Sequence, residues 1–231
     1  MQIHGLNKTT LLDYPGRVAA TVFTGACNFR CPFCHNGDLV LHPEEQPLIP
    51  EAEFFEFLQK RKGILTGVCI SGGEPTLQSD LPVFLSRIKK LDYKIKLDTN
   101  GYLPEVLVNL CREHLVDYIA MDIKSGQSGY SKACGLPALD FSLIKESVNM
   151  IRNCGLPYEF RTTVVKELHQ SEDFAQIGKL LHGCNAYFLQ SYKESEQVLL
   201  PGFHACSKEE LLSFAAQLRP DIPNTALRGI D

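Results

Sequence analysis

The chain has 231 residues, of which 44% are hydrophobic and 22% charged, a composition ordinary for one globular domain. A formal net charge of −4 and a pI near 6.0 give no basic surface for nucleic acid. No apolar stretch approaches the ~20 residues of a membrane span, and the N-terminus lacks the basic and apolar regions of a signal peptide. We therefore expect a cytoplasmic protein that binds neither nucleic acid nor membrane.

Short apolar runs alternate with amphipathic segments along the chain. Strands are predicted at 18–23, 67–71, 94–98, 117–124, 158–165 and 185–190. Helices are predicted at 51–62, 80–91, 103–114, 141–153, 171–181 and 207–218. Val83 is expected on the apolar face of the second helix, Gly155 is expected to stop the fourth, and Ser171 and Ser207 are expected to cap the last two.

This alternation of strand and helix predicts one α/β domain over residues 1–231, with a parallel sheet, outer helices and right-handed crossovers. Six such units fit either an open doubly wound sheet or a curved partial barrel. In both architectures, functional residues follow the carboxyl ends of the strands. The motifs described below all lie at those ends.

Three cysteines, Cys27, Cys31 and Cys34, follow the first strand at the spacing C-x3-C-x2-C. Three thiolates can hold three corners of a metal centre and leave the fourth open for chemistry, and thiolates favour iron–sulfur clusters, zinc or copper(I). A structural zinc site with His35 as fourth ligand is the alternative, although His35 directly follows Cys34. The other six cysteines are scattered and are expected to be ordinary buried thiols: Cys69, Cys111, Cys134, Cys154, Cys184 and Cys206.

Three further polar clusters follow the next strands: 72–75 (GGEP), 98–101 (DTNG) and 122–124 (DIK). The two glycines allow backbone to approach a ligand closely, or simply form a turn. Asp98 and Asp122 suggest acid–base chemistry or a hard cation held by oxygen ligands. The alternative for Asp122 and Lys124 is a surface pair at a strand end.

Together these motifs resemble the radical S-adenosylmethionine (SAM) superfamily, whose signature is similar to the cysteine motif with Phe33 and to the GGEP run. The runs at 34–36, 98–101 and 122–124 narrow the resemblance to activating enzymes of glycyl radical enzymes. The segments 10–16 and 22–32 are most similar to anaerobic ribonucleoside-triphosphate reductase activating proteins. The resemblance covers about residues 5–190 and implies a partial (β/α)6 barrel.

The resemblance also implies the cofactors and their ligands. Cys27, Cys31 and Cys34 would bind a 4Fe-4S cluster whose remaining iron is chelated by SAM. The implied SAM-binding residues are Phe33, Cys34, His35, Gly73, Glu74, Asp122, Ile123 and Lys124. A monovalent cation is implied at Asp98, Thr99, Asp122 and the backbone carbonyl of Ala120.

The reaction implied is reductive cleavage of SAM to methionine and a 5′-deoxyadenosyl radical, which takes a hydrogen atom from a glycine Cα of a partner protein. The implied partners are a glycyl radical enzyme and a flavodoxin- or ferredoxin-like electron donor. No side chain is expected to act as acid or base. Glu74 is expected to brace the site, and Lys124 to offer its charge to the SAM carboxylate.

Two side chains and the choice of substrate stay open at this point. Arg161 matches a basic residue near the entry of the partner's glycine loop, and Lys193 stands where pyruvate formate-lyase activases carry a histidine. No adenine-binding motif is visible at 162–165. Three alternatives remain: a pyruvate formate-lyase-like partner, a radical SAM enzyme acting on a small molecule, and a non-enzymatic metal-binding module.

Overall fold

A computed structural model describes residues 1–230 of the chain. The strands are β1 Ile3–Thr10, β2 Ala19–Thr24, β3 Gly67–Gly72, β4 Lys94–Thr99, β5 Tyr118–Asp122, β6 Tyr158–Val164, β7 Tyr187–Ser191 and β8 Thr225–Arg228. The helices are α1 Gly37–Leu41, α2 Glu51–Lys60, α3 Leu81–Lys89, α4 Pro104–Arg112, α5 Tyr130–Cys134, α6 Phe141–Asn153, α7 Ser171–Leu180 and α8 Lys208–Leu218. Two 3-10 turns occupy Pro43–Glu45 and Pro75–Leu77.

The eight strands form one sheet in chain order from β1 to β8. β1 pairs antiparallel with β2, whereas the pairs β2–β3, β3–β4, β6–β7 and β7–β8 are parallel. The predicted mainly parallel α/β sheet is therefore confirmed. It is an open sheet, with β1 and β8 as its edge strands.

The six predicted strands and six predicted helices all form, and the structure adds elements at both ends and in two loops. β1 and β8 were not expected, and neither were the short helices α1 and α5. The placement of Val83 was wrong, since this side chain is 66% exposed and Leu81 and Leu85 point inward instead. Gln170, rather than Ser171, caps α7, together with Asp173. Ser207 caps α8 as predicted.

By the density of their contacts, the residues fall into two compact units. The first contains Met1–Asn28, Asp38–Thr99 and Leu103–Ala120, and the second contains Phe29–Gly37, Asn100–Tyr102 and the chain from Met121 onward. A single domain over 1–231 stays a prediction. Each unit has its own apolar centre, described next.

In the first unit, α2 and α3 pack through aromatic rings, because their apolar residues recur at helical spacing. Phe54 stacks on Phe84 with 5.3 Å between ring centroids, and Phe55 meets Phe84 edge-on at 5.4 Å. In the second unit, Phe174 of α7 stacks on Phe214 of α8 at 4.2 Å. Each fully buried aromatic side chain contributes about 1.5–3 kcal/mol of transfer free energy.

The six scattered cysteines form no disulfide within residues 1–230. Cys69, Cys134, Cys184 and Cys206 are buried, and Cys111 and Cys154 are partly exposed. No helix within residues 1–230 is both long enough and apolar enough to cross a membrane.

Candidate functional site

In the first unit, Gly72 at the end of β3 and Gly73 after it lie against the end of β2. Gly73 N–H donates to the carbonyl of Thr24, and Glu74 N–H donates to the carbonyl of Ala26, each at 2.8 Å. A Cβ on Gly73 would lie 1.9 Å from the Ala26 oxygen. Gly72 has a φ of +112°, which only glycine adopts without strain. The chain's own backbone therefore requires both glycines, a reason separate from the close approach of a ligand.

Ala26, the residue directly before the first cysteine, has an uncommon backbone conformation. Its φ is +62°, in the left-handed region that non-glycine residues seldom occupy. Its N–H donates to Leu39 at 2.8 Å while its carbonyl accepts from Glu74. Backbone strain of this kind persists where neighbouring bonds fix it. These bonds therefore fix the start of the cysteine loop at Cys27, which is partly exposed.

Glu74 joins the ends of β3 and β4. Its side chain is 1% exposed, and its Oε1 accepts from the hydroxyls of Thr76 at 2.6 Å and Thr99 at 2.9 Å. The Thr76 N–H also donates to it, at 3.1 Å. A buried carboxylate with several donors is held rigidly, because each bond it loses leaves an unsatisfied charge.

Asp98 and Lys96 form an ion pair on β4. The Lys96 ammonium donates to Asp98 Oδ1, and the Ser71 hydroxyl donates to Asp98 Oδ2 at 3.1 Å. Lys96 is 1% exposed. Ala120, the expected carbonyl ligand of a cation, lies fully buried on β5.

In the second unit, the rest of the cysteine loop is a tight turn. Cys34 N–H donates to the carbonyl of Cys31 at 3.0 Å, and Arg30 N–H donates to that of Cys134 at 2.8 Å. Burial raises the pKa of the Cys34 thiol, an effect that the charges of Lys124 and Arg30 partly offset. A metal would reverse the effect of burial, because the thiolate is the form that binds it.

A segment after β7, residues 192–200 and here called the cover segment, lies along this turn. Leu199 N–H donates to the carbonyl of Cys34 at 3.0 Å, and Leu200 N–H donates to that of Pro32 at 2.8 Å. His35 Nε2 donates to the carbonyl of Lys193, and the His35 ring lies 5.5 Å from that of Tyr192. Lys193 therefore contacts this turn through its backbone carbonyl.

Asp122 lies between two cations at the end of β5. Arg161 Nε donates to its Oδ1, and Lys124 Nζ donates to its Oδ2 at 3.0 Å. Burial alone would raise the pKa of Asp122, but the charges of Arg161 and Lys124 outweigh it and hold the pKa well below its usual range. For Lys124, burial would lower the pKa, yet Asp122 and Cys31 raise it well above its usual range. Both groups are therefore charged, and Lys124 lies within electrostatic reach of a cysteine.

The backbone around Lys124 is fixed by its neighbours. Ile123 is fully buried, and its N–H donates to the carbonyl of Arg161 at 2.8 Å. His169 Nε2 donates to the Lys124 carbonyl at 2.8 Å, while its Nδ1 accepts from Val165 N–H at 3.0 Å. Burial lowers the pKa of His169, so it is neutral. The Phe33 ring packs 6.4 Å from the His169 ring.

A second ion pair supports Arg161. Glu159, 1% exposed on β6, accepts from Arg228 of β8 through both carboxylate oxygens, at 2.9 and 2.8 Å. Arg161 Nη1 lies 3.8 Å from Glu159 Oε1. The Arg228 guanidinium also lies over the Phe188 ring, 3.3 Å from its centroid.

The predicted site residues are divided between the two units. The first unit contains Cys27, Gly73, Glu74, Asp98, Thr99 and Ala120, and the second contains Cys31, Phe33, Cys34, His35, Asp122, Ile123, Lys124, Arg161 and Lys193. Lys96, Glu159 and His169 were missed. For the first two a signal existed, since Lys96 precedes Asp98 and Glu159 precedes Arg161 by two residues, on the same face of a strand. His169 has no such signal and was expected to be incidental.

The donor set fits an iron–sulfur cluster bound by three cysteines. None of the three cysteines forms a disulfide within residues 1–230, and they lie on a loop whose backbone is fixed by hydrogen bonds on both sides. The cations Lys124 and Arg30 lie near the Cys34 thiol and favour its thiolate form. In the zinc alternative, Nδ1 is the only ring atom of His35 that could be a ligand, because Nε2 donates to the Lys193 carbonyl.

Comparison with known proteins places this arrangement in a family. The family described as the Radical SAM superfamily matches residues 21–180. A protein of Methanocaldococcus jannaschii named as a glycyl-radical enzyme activating enzyme is 30% identical over 199 residues, which is 84% of this chain and 81% of the relative. The pyruvate formate-lyase-activating enzyme of Clostridium pasteurianum is 26% identical, over 94% of this chain and 89% of its own.

A different kind of relative matches over a shorter stretch. A protein of Sulfolobus acidocaldarius named as a GTP 3′,8-cyclase is 36% identical over 108 residues, which is 44% of this chain and 32% of the relative. Among solved structures, Streptococcus suis SuiB superposes with a TM-score of 0.71 at 16% identity, covering 91% of this chain. The chain spans about half the length of SuiB, 49%, and this likeness shows the fold alone.

Proposed function

The chain belongs to the radical SAM superfamily, and we propose that within it the protein activates a glycyl radical enzyme. Membership makes it an enzyme that uses a 4Fe-4S cluster and SAM. When bound, these cofactors supply a 5′-deoxyadenosyl radical, made by one-electron reduction of SAM. The protein's own contribution is to hold the cofactors, exclude water and position the substrate.

We assign Cys27, Cys31 and Cys34 as the cluster ligands. Support comes from the hydrogen-bonded backbone of the loop and from the cations near Cys34. Leu199 and Leu200 bind the backbone carbonyls of Cys34 and Pro32 rather than the thiols. Phe33 is 5% exposed, so its role is to anchor the turn in the apolar interior.

We assign the amino-acid end of SAM to the residues that the resemblance implies in each unit. Lys124 offers a positive charge for the carboxylate, and Asp122 fixes its direction. Backbone groups of Gly73 would meet the amino group, with Glu74 bracing that turn from its buried position. His35 and Ile123 complete the set through backbone contacts. No side chain in it needs to gain or lose a proton during the reaction.

The choice of a protein substrate rests on one observation. The matches to the two activating enzymes run over 81% and 89% of those proteins, whereas the match to the Sulfolobus cyclase covers 32% of that protein. We propose anaerobic ribonucleoside-triphosphate reductase as the partner, and a flavodoxin- or ferredoxin-like protein as the electron donor. The reductase is favoured by the N-terminal segments 10–16 and 22–32 described above.

The cyclase relatives support a second candidate, a radical SAM enzyme that acts on a small molecule such as a nucleotide. The 36% identity over 108 residues is the observation that favours it. The two candidates differ in where a radical is left. An activating enzyme leaves a stable radical on the partner protein, whereas the second candidate leaves a modified small molecule.

Electron paramagnetic resonance tests the proposal. The protein is reconstituted anaerobically with iron and sulfide, reduced, and mixed with SAM and either an anaerobic ribonucleotide reductase or a pyruvate formate-lyase. We expect a glycyl radical on the reductase and 5′-deoxyadenosine in about equal amount. Cys31→Ala should abolish both, and Cys111→Ala, a half-buried thiol elsewhere, should abolish neither. Turnover of GTP with no radical on either protein would contradict the proposal.

A further inference from the structure

Lys96 is a buried lysine at the centre of the first unit. It lies on β4 with 1% of its surface exposed, and lysines are almost never so buried unless paired. Its ammonium contacts the Asp98 carboxylate and lies 3.9 Å from Cys69 Sγ. Cys69 is its direct neighbour in the register of β3 and β4. The strand therefore directs a fixed positive charge at Asp98.

Asp98 is engaged through both oxygens. Lys96 takes Oδ1, and the Ser71 hydroxyl donates to Oδ2 at 3.1 Å. Thr99, the next expected ligand of a cation, donates its hydroxyl to Glu74. In the second unit, Asp122 is likewise compensated, by Arg161 and Lys124. Each aspartate thus has a cation supplied by the chain itself.

A free alkali cation binds where oxygen ligands carry uncompensated negative charge. Lysine provides the same charge as a compact ammonium group with three donors. We propose that the Lys96 ammonium replaces a free monovalent cation at Asp98, so that this protein binds SAM without one. The proposal rests on membership in the SAM-binding superfamily and is independent of which partner is activated.

Removing the ammonium should recreate a cation site. Lys96→Met keeps most of the length of the side chain but leaves Asp98 as a partly buried charge without its cation, which is unfavourable. A small alkali cation in solution can then relieve that charge, whereas tetramethylammonium is too large to enter. The variant should therefore depend on the cation, and the wild type should not.

The experiment measures SAM affinity of the reconstituted, reduced protein from the change in its cluster signal, in potassium, sodium or tetramethylammonium chloride. We expect the wild-type affinity to vary less than about twofold among the salts. Lys96→Met should bind SAM about tenfold more weakly in tetramethylammonium and recover in potassium or sodium. Lys94→Met is the matched control. Lys94 lies on the same strand as Lys96 and also pairs with an aspartate, Asp117, but its side chain is half exposed.

A wild-type protein that loses about tenfold in affinity when alkali cations are removed would overturn the proposal. So would a folded Lys96→Met variant that binds SAM equally in all three salts. If Lys96→Met does not fold, the double variant Lys96→Met/Asp98→Asn removes both charges and should fold. The wild-type comparison decides the question in either case, and none of these results depends on a glycyl radical partner.

Discussion

At the scale of single residues, the site is arranged by opposite charges two positions apart. Lys96 and Asp98, Asp122 and Lys124, and Glu159 and Arg161 each share one face of their strand or its exit. Because the pairs are buried or half-buried, each charge needs its partner to avoid a desolvation penalty. The arrangement fixes the direction of the Lys124 ammonium, the group that we propose binds the SAM carboxylate.

His169 provides a test of this arrangement through pH. Its pKa is lowered in the folded protein, so the unfolded chain takes up a proton near pH 6.5 that the native state resists. The stabilisation is complete above about pH 6.5 and is lost as the pH falls below it. We expect the free energy of unfolding to decrease there by up to about 1.4 kcal/mol per pH unit from this group.

His169→Gln can keep both hydrogen bonds but does not titrate. Unfolding by urea is measured anaerobically between pH 5.5 and 8. The free energy of unfolding of His169→Gln should lack the pH dependence that His169 contributes. His204→Gln changes an exposed histidine paired with Glu167 and is the matched control. An undiminished slope in His169→Gln would show that His169 is not held neutral.

At the scale of elements, the cover segment and β8 are two additions that hold the site from outside the predicted strands. The cover segment binds the peptide backbone of the cysteine turn at Cys34 and Pro32. β8 pairs with β7 and carries Arg228, which reaches Glu159 beside Arg161. Neither the cover segment nor β8 contains a recognisable motif, yet each contacts residues of the candidate site.

Gly37→Ala tests the cover segment. Gly37 N–H donates to the Gln197 carbonyl at 3.2 Å, and a Cβ there would lie 2.8 Å from that oxygen. The clash should push the segment away and expose the cluster to chelators, so we expect iron loss several-fold faster than in the wild type. Glu196→Ala, an exposed side chain on the same segment, should match the wild type. Equal rates of iron loss to bathophenanthroline in all three proteins would argue against a shielding role.

Arg228→Met tests β8. The change removes two hydrogen bonds and a positive charge from the buried Glu159 carboxylate, so we expect a loss of about 2 kcal/mol in the free energy of unfolding. It should also weaken SAM binding, because Glu159 then competes with Asp122 for Arg161. Lys166→Met breaks an exposed pair with Glu210 and should cost less than about 0.5 kcal/mol. A stability loss no larger than that of Lys166→Met would mean that this ion pair contributes little.

At the scale of the whole molecule, sequence periodicity was enough for the alternating strands and helices. α6 was predicted to its last residue, and Gly155 has the positive φ expected of a helix stop. β1 was missed because its residues 5–9 carry no alternating apolar pattern, and β8 because it has four residues. Motif spacing identified the cysteine loop and the strand-end clusters. It could not identify His169 or the cover segment, because their contacts join residues far apart in the chain.

Transfer of a hydrogen atom from the partner's glycine Cα to 5′-deoxyadenosine can be followed with deuterium, and this tests the proposed activity most directly. The partner reductase is prepared with glycine deuterated at Cα, and the reconstituted protein is given SAM and reductant with it. We predict that 5′-deoxyadenosine gains one mass unit in step with the appearance of the glycyl radical signal, and that it stays unlabelled when the partner is omitted. Unlabelled 5′-deoxyadenosine in the presence of a partner that has become radical-bearing would contradict direct abstraction from glycine.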